Sequence, residues 1–160
     1  PYLMGERTPH LDPNARGVFF GLSAMHTRSD LIRSVMEGVV FSLNDCREVI
    51  TGMGIRADDM TACGGGGRSP LWRQMLADIF NCPVKTSNSK EGPALGVAIL
   101  AMVGAGEYAS VEEACHAILG IDRIQQPVPG NHERYLPYYQ LYCELYPALQ
   151  KEYVSLAALN

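Results

Sequence analysis

Apolar side chains recur at helical spacing through Leu31, Val35, Val39, Val40, Leu43 and Ile50, which predicts a long helix over residues 28–51. Thr27 and Asp30 stand at the spacing of a capping box at its start, and Gly52 and Gly54 mark its end. Gly38 in its interior costs about 1 kcal/mol relative to alanine and predicts close contact with another element. A second stripe runs through Leu71, Trp72, Met75, Leu76, Ile79 and Phe80, with Ser69 as N-cap, Pro70 as first helical residue, and Asn81 and Pro83 as the stop. On that stripe Trp72 reads as a core residue rather than as a platform for a ligand. Short apolar runs at Pro1–Gly5, at Arg16–Leu22, from Met60 onward and at Val84–Thr86 predict strands. A third helix opens at Glu91-Gly-Pro-Ala94 and runs to Val103, and Ser110 with Glu113 forms the capping box of a fourth that ends at Gly120. The chain is helical again from residue 131, with Pro137 near the start and Pro147 expected to kink it. Strands alternating with helices in this order predict an α/β layer structure.

Between the first two helices the pattern breaks at Cys63-Gly-Gly-Gly-Gly-Arg-Ser69. Glycine serves where a chain must take positive φ or let a ligand approach the main chain, and four together cost more backbone entropy than a turn requires. The loop leads straight into a helix start, whose free N–H groups point back at the glycines. Two readings stay open: a tight strand-to-helix turn, or a nucleotide site in which bare backbone meets the ligand. No G-x-x-x-x-G-K-[ST] occurs and the lysines are only Lys85, Lys90 and Lys151, which excludes a Walker-type loop. The dinucleotide fingerprint fails at Ser69 and lacks an acid at the expected distance beyond it. A near-match at Gly52-Met-Gly54 follows a helix and reads as its C-cap.

Composition narrows the partners. The chain has 160 residues and 47% hydrophobic content, enough for one good core, which predicts a single domain. Charged residues make up 19%, below the usual value of about 25%, which suits a surface partly covered by a partner or another domain. A net charge of −4 with no basic run argues against nucleic-acid and membrane-surface partners. No signal peptide and no stretch of 18 apolar residues are present, so the expectation is a soluble, cytoplasmic protein. Cys46, Cys63, Cys82, Cys115 and Cys143, odd in number and widely spaced, read as buried free thiols of a reducing compartment. No Cys or His pair has metal-ligand spacing, and no metal ligands are assigned. The chain opens at Pro1 in what reads as mid-domain sequence, and the expectation is a piece of a longer protein.

Gly17-Val-Phe-Phe-Gly-Leu22, Asp30-Leu31 and Ser34-Val-Met-Glu37 resemble the C-terminal signature of the FGGY family of carbohydrate kinases. Cys63 to Ser69, with Trp72-Arg-Gln-Met-Leu-Ala-Asp-Ile79, resembles that family's adenosine loop and the helix after it. Pro1 to His10 and Glu91 to Gly96 are similar to the flanking segments of members that act on xylulose, and the similarity runs from Pro1 to Tyr153. The resemblance implies an α/β fold, a ribonuclease H-like (actin-type ATPase) domain with additional C-terminal helices. It makes residues 1–160 the C-terminal nucleotide-binding domain of a two-domain sugar kinase whose N-terminal sugar-binding domain is absent here. It implies ATP as co-substrate, Mg²⁺ held by ligands outside this stretch, and nucleotide contacts at Gly64, Gly65, Gly66, Gly67, Arg68 and Ser69. Gly65 and Gly66 would pack their backbone on the base, with Ser69 beside it; Arg68 would lie over the nucleotide or on the surface.

The same resemblance implies transfer of the γ-phosphate of ATP to a small-molecule sugar, D-xylulose being favoured and giving D-xylulose 5-phosphate. D-gluconate or another sugar or polyol is the alternative, as is a non-catalytic nucleotide-binding module. An unrelated α/β domain whose glycine loop binds nothing also stays open. The family's catalytic aspartate, phosphate loop and most sugar contacts lie upstream, so residues 1–160 alone are expected to be inactive. Glu37 and Asp78 match signature acids, and hydrogen bonding at a loop or helix end is expected of them rather than base catalysis. Glu6, Arg7 and His10 sit in a loop that either approaches the cleft or is surface structure. Tyr138, Tyr142 and Tyr146 share one side of the last helix, as a core stripe or as the interface of a homodimer.

Overall fold

The computed structural model describes residues 1–58, 60–89 and 92–159. Asp59, Lys90 and Glu91, and with Glu91 the expected opening of the third helix, lie outside the described residues. In chain order the elements are α1 (Arg28–Gly52), β1 (Met60–Thr61), α2 (Gly64–Arg68), α3 (Pro70–Phe80), β2 (Val84–Ser87), α4 (Pro93–Gly104), α5 (Val111–Ile118), β3 (Ile121–Gln125) and α6 (Asn131–Ala157). The chain divides into two compact units: Pro1–Ala57 with Asp78–Phe80 and Pro129–Asn160, and Asp58–Ala77 with Asn81–Val128. No helix of the described residues is long and apolar enough to cross a membrane.

The first unit is built on α1 and α6. The Asp30 carboxylate accepts from both the Thr27 N–H and its hydroxyl at 2.8 Å, the expected N-terminal cap. At the other end Gly54 takes φ +83°, its N–H reaches the Thr51 carbonyl, and the Ile55 N–H reaches that of Ile50. This is a left-handed helix stop that favours glycine. At Gly38 the expected contact exists, with Pro1, but a Cβ would still stand 3.9 Å away. α6 runs as one helix through Pro137 and Pro147. Tyr135, Tyr139 and Tyr142 face α1: Phe41 is buried, with its ring 6.1 Å from that of Tyr135, 5.6 Å from that of Tyr139 and 5.4 Å from that of Tyr142. The Tyr142 and Tyr2 hydroxyls are hydrogen-bonded at 2.8 Å. Buried Tyr146 stacks on His10 at 3.7 Å and donates to the Asp12 carboxylate at 3.0 Å.

Two expected strands are absent. Pro1–Gly5 leads into a loop closed by a bridge between Glu6 and Asp12, inside which the Glu6 carboxylate accepts the N–H groups of Thr8, His10 and Leu11. Glu6 is therefore a clamp of its own loop. Arg16–Leu22 has no assigned secondary structure, bends at Gly21 with φ +78°, and has no ladder partner among the described residues; Phe20 is 64% exposed. An aromatic, β-branched run becomes a strand only where a neighbour takes its N–H and C=O groups, and none does here. Beside this segment a mainly apolar cavity of about 470 Å³ opens against Phe41 of α1 and Tyr138 and Leu141 of α6.

The second unit holds a three-stranded sheet in the order β1-β2-β3. β1 pairs with β2 in parallel, Met60 opposite Val84, and β2 pairs antiparallel with β3, Val84 opposite Gln125. Val84 and Thr86 point inward from β2, the alternation of a half-buried strand. β3 was not expected: Ile121 and Ile124 are three apart and both exposed, so no period of two betrays it, and main-chain pairing at the sheet edge makes the strand. α3 begins and ends as expected, with Pro70 in its first turn and Asn81 left-handed at its C-cap. It buries Met75 and Ala77. Ser110 caps α5 by accepting the Glu113 N–H at 3.1 Å. α4 carries no polar side chain, yet Ile99 alone among its residues is buried. The five thiols are free, but Cys82 alone is buried and Cys63 and Cys143 are exposed, which corrects the expectation of buried thiols throughout.

Candidate functional site

The four glycines do not form an open loop. They make the short helix α2, entered from Cys63 in extended conformation and left at Ser69. Ser69 serves two helices: its N–H donates to the Gly66 carbonyl at 3.1 Å, closing α2, and its hydroxyl accepts the Trp72 N–H at 3.3 Å, opening α3.

The glycines differ in why they lack a side chain. Gly64 has φ +67°, a conformation L-residues avoid. At Gly67 a Cβ would stand 2.7 Å from the Ala62 carbonyl oxygen, closer than any real contact. Gly65 and Gly66 are another matter. Neither has positive φ; a Cβ on Gly65 meets nothing within 4 Å, and one on Gly66 would touch the Trp72 ring at an ordinary 3.5 Å. Each costs its helix about 1 kcal/mol relative to alanine. The protein's own packing therefore accounts for Gly64 and Gly67 and leaves Gly65 and Gly66 without an internal reason.

Around this backbone stand two side chains whose part sequence reasoning missed. Arg73, in the first turn of α3, is only 5% exposed, and its Nη1 donates to the Gly67 carbonyl at 2.6 Å. The available signal was an arginine set on the apolar stripe of α3, three residues before Leu76 and four before Ala77. Trp72 is half-buried, with the edge of its ring beside Gly66 and its indole Nε1 enclosed without a hydrogen-bond partner among the described residues. The expected core residue is thus a wall of the glycine turn. Arg68 lies exposed in the last turn of α2.

The acids flagged in the sequence lie elsewhere and are structural. Glu37 accepts from Arg33 Nε at 2.7 Å and from the Tyr135 hydroxyl at 2.9 Å. Asp78 is buried and accepts from the Asn131 side chain at 2.8 Å, while the His132 ring meets the Ile79 carbonyl at 3.1 Å. Buried Asp45 accepts from the Tyr139 hydroxyl at 2.7 Å, and burial raises its pKa above the ordinary carboxylate range despite that bond. Among the described residues no three His, Cys, Asp or Glu side chains are grouped to hold a metal ion. What α2 and the start of α3 present is exposed main chain at Gly65 beside the Trp72 ring, with no carboxylate or histidine between Cys63 and Gln74.

The profile of the FGGY family of carbohydrate kinases, C-terminal domain, matches residues 1–105. A xylulose kinase of Staphylococcus epidermidis is 41% identical over 146 residues, covering 91% of this chain and 29% of the relative. Among solved structures, a ligand-bound xylulose kinase from Lactobacillus acidophilus superposes with a TM-score of 0.89 at 33% identity, over 98% of this chain and 32% of that one. A gluconate kinase from Lactobacillus acidophilus gives 0.87 at 34% identity over the same shares. The chain thus spans about three tenths of the length of the relatives it matches. It belongs to the FGGY family of carbohydrate kinases, in the part described by that family's C-terminal domain.

Proposed function

We propose that this chain is the nucleotide-binding domain of a cytoplasmic, two-domain sugar kinase, a ribonuclease H-like, actin-type ATPase domain with added C-terminal helices. The observation that carries the reading is the bare backbone at Gly65 and Gly66, where the fold itself has room for a side chain. The base of ATP packs on those two residues, with Gly64 and Gly67 shaping the turn and Arg68 and Ser69 at its exit. Bound ATP supplies the γ-phosphoryl group. The residues of this chain bind and orient; the base that takes the hydroxyl proton, the Mg²⁺ ligands and the sugar contacts belong to an N-terminal sugar-binding domain. Residues 1–160 alone therefore do not phosphorylate sugars.

D-xylulose is the proposed acceptor, giving D-xylulose 5-phosphate, supported by relatives named xylulose kinase. A gluconate kinase of nearly equal likeness favours D-gluconate as the second reading. Sugar-dependent ADP release by the full-length protein, with D-xylulose, D-gluconate and glycerol compared, separates them, and a non-catalytic module releases ADP with none. The nucleotide assignment is tested by Gly65→Val, whose branched side chain fills the space of the base while φ stays in the ordinary range. ADP binding, measured by calorimetry on the full-length protein, weakens by more than about tenfold, or about 1.4 kcal/mol. Unchanged ADP affinity in a folded Gly65→Val protein overturns the assignment.

A further inference from the structure

A glycine helix cannot hold itself. Each glycine of α2 gives up more backbone freedom than any other residue would, and no side chain of its own braces the turn. The helix is five residues long, so nearly all its carbonyls need partners from outside. The Gly66 carbonyl finds the Ser69 N–H, a neutral and local bond. The Gly67 carbonyl finds the Arg73 guanidinium at 2.6 Å, a charged donor from six residues further on, in the next helix. Arg73 is fixed in turn: its own N–H donates to the Ser69 carbonyl at 3.0 Å as the first bond of α3, and its side chain is 5% exposed. Gly67 itself is seated against Ala62, with no space for even a methyl group.

We propose that Arg73 is the positioning residue of the nucleotide site, holding α2 in the one conformation that presents Gly65 and Gly66 to a nucleoside diphosphate or triphosphate. This rests on the reading of α2 as the nucleotide site. Buried at 5% exposure, Arg73 acts through the Gly67 carbonyl rather than on the nucleotide itself. Without its donor the glycine turn samples other conformations, and binding must then bear the cost of ordering it, which lowers affinity without altering the reaction of the bound complex.

The test uses the full-length protein with ADP and ATP as probes. Trp72, the sole tryptophan of these 160 residues, has its ring beside Gly66, so with tryptophans elsewhere in the full-length protein replaced by phenylalanine its fluorescence reports ligand arrival at α2 while calorimetry reads the affinity. Arg73→Met keeps the apolar stem and removes the donor; Arg73→Lys keeps a charged donor on a stem of similar reach. Arg73→Met is expected to weaken ADP by about tenfold, with the loss appearing in KM for ATP, kcat at saturating ATP changing much less, and Arg73→Lys recovering most of it. A folded Arg73→Met protein with native ADP affinity overturns the inference, and so does an equal fall in kcat with KM unchanged. If Arg73→Met fails to fold, Arg73→Gln, whose shorter neutral side chain cannot supply the charged donor, decides: lowered ADP affinity at native melting temperature supports the role, and native values of both overturn it. Failure of the underlying reading looks different. There, Gly65→Val leaves ADP binding unchanged, or ADP leaves the wild-type Trp72 signal untouched.

Discussion

Gly67→Ala is the sharpest test of the glycine turn as a built structure. The added Cβ would lie 2.7 Å from the Ala62 oxygen and 2.9 Å from its carbonyl carbon, against the 3.4 Å or more of ordinary contact. Ala62 has little freedom to retreat, since its N–H is tied to the Lys85 carbonyl at 2.8 Å, continuing the β1–β2 ladder. Gly67 cannot retreat either without lengthening the Arg73 bond. Relief therefore costs either packing or a buried charged hydrogen bond, and overpacking of this kind costs about 1–3 kcal/mol. In a chain of this size that lowers the melting temperature by roughly 2–12 °C, since each kcal/mol is worth about 2–4 °C. Gly65→Ala is the internal control. It meets nothing within 4 Å at a φ alanine accepts, so it should stabilise by roughly 0.4–1 kcal/mol through the unfolded chain. Thermal melts followed by far-ultraviolet circular dichroism give both values in one experiment. A Gly67→Ala protein that melts at or above wild type, or a Gly65→Ala protein that melts as low as Gly67→Ala, refutes the division between glycines the fold needs and glycines it does not.

Two further outcomes concern the first unit. Burial raises the Asp45 pKa above 3.8, the Tyr139 hydroxyl and His10 opposing and Glu6 adding to the rise, so the protonated carboxyl suits the folded state better and the ionised form is a cost once pH passes the folded pKa. Asp45→Asn should raise the melting temperature at pH 7 and lose that advantage as the pH falls below 3.8; a constant difference across that range rejects the assignment. Tyr142→Glu, which places a carboxylate against Phe41 and removes the bond to Tyr2, should destabilise the fold by about 3–5 kcal/mol, enough to unfold a marginally stable domain, whereas Tyr138→Glu at a 68% exposed position should change stability by no more than about 0.5 kcal/mol. A Tyr142→Glu protein that stays folded but runs as a monomer where wild type runs as a dimer in size-exclusion chromatography transfers the tyrosine stripe to an interface.

The parts of the fold legible in advance are those written in local chemistry. Thr27 with Asp30, Ser69 with Pro70 and the left-handed Gly54 mark helix ends because cap and stop are settled within a few residues. The parts missed depend on distant partners. Arg16–Leu22 has strand composition but no neighbouring backbone to pair with, and β3 has no strand pattern but lies where β2 needs a partner. The glycine turn shows both cases at once. Four glycines announced close approach, yet only the surrounding atoms separate Gly67, fitted against Ala62, from Gly65, fitted against nothing. Arg73 escaped because an arginine on an apolar stripe looks like a surface intrusion until the carbonyl six residues earlier turns toward it.

The unburied apolar side chains bear on how stability varies with temperature. Val97 on α4 is 67% exposed, and Leu100 of the same helix and the aromatic pair Phe19 and Phe20 are likewise in water in the folded chain. Heat capacity rises on unfolding because apolar surface becomes newly hydrated, at about 12–15 cal/mol/K per residue for an ordinary domain. Side chains already hydrated add nothing to that increment. For residues 1–160 on their own, the stability curve is therefore expected to be flatter than that of a fully packed domain of equal length, with less loss on cooling. Whatever covers either surface would restore part of the usual curvature, and its binding would carry the negative heat-capacity change of apolar burial.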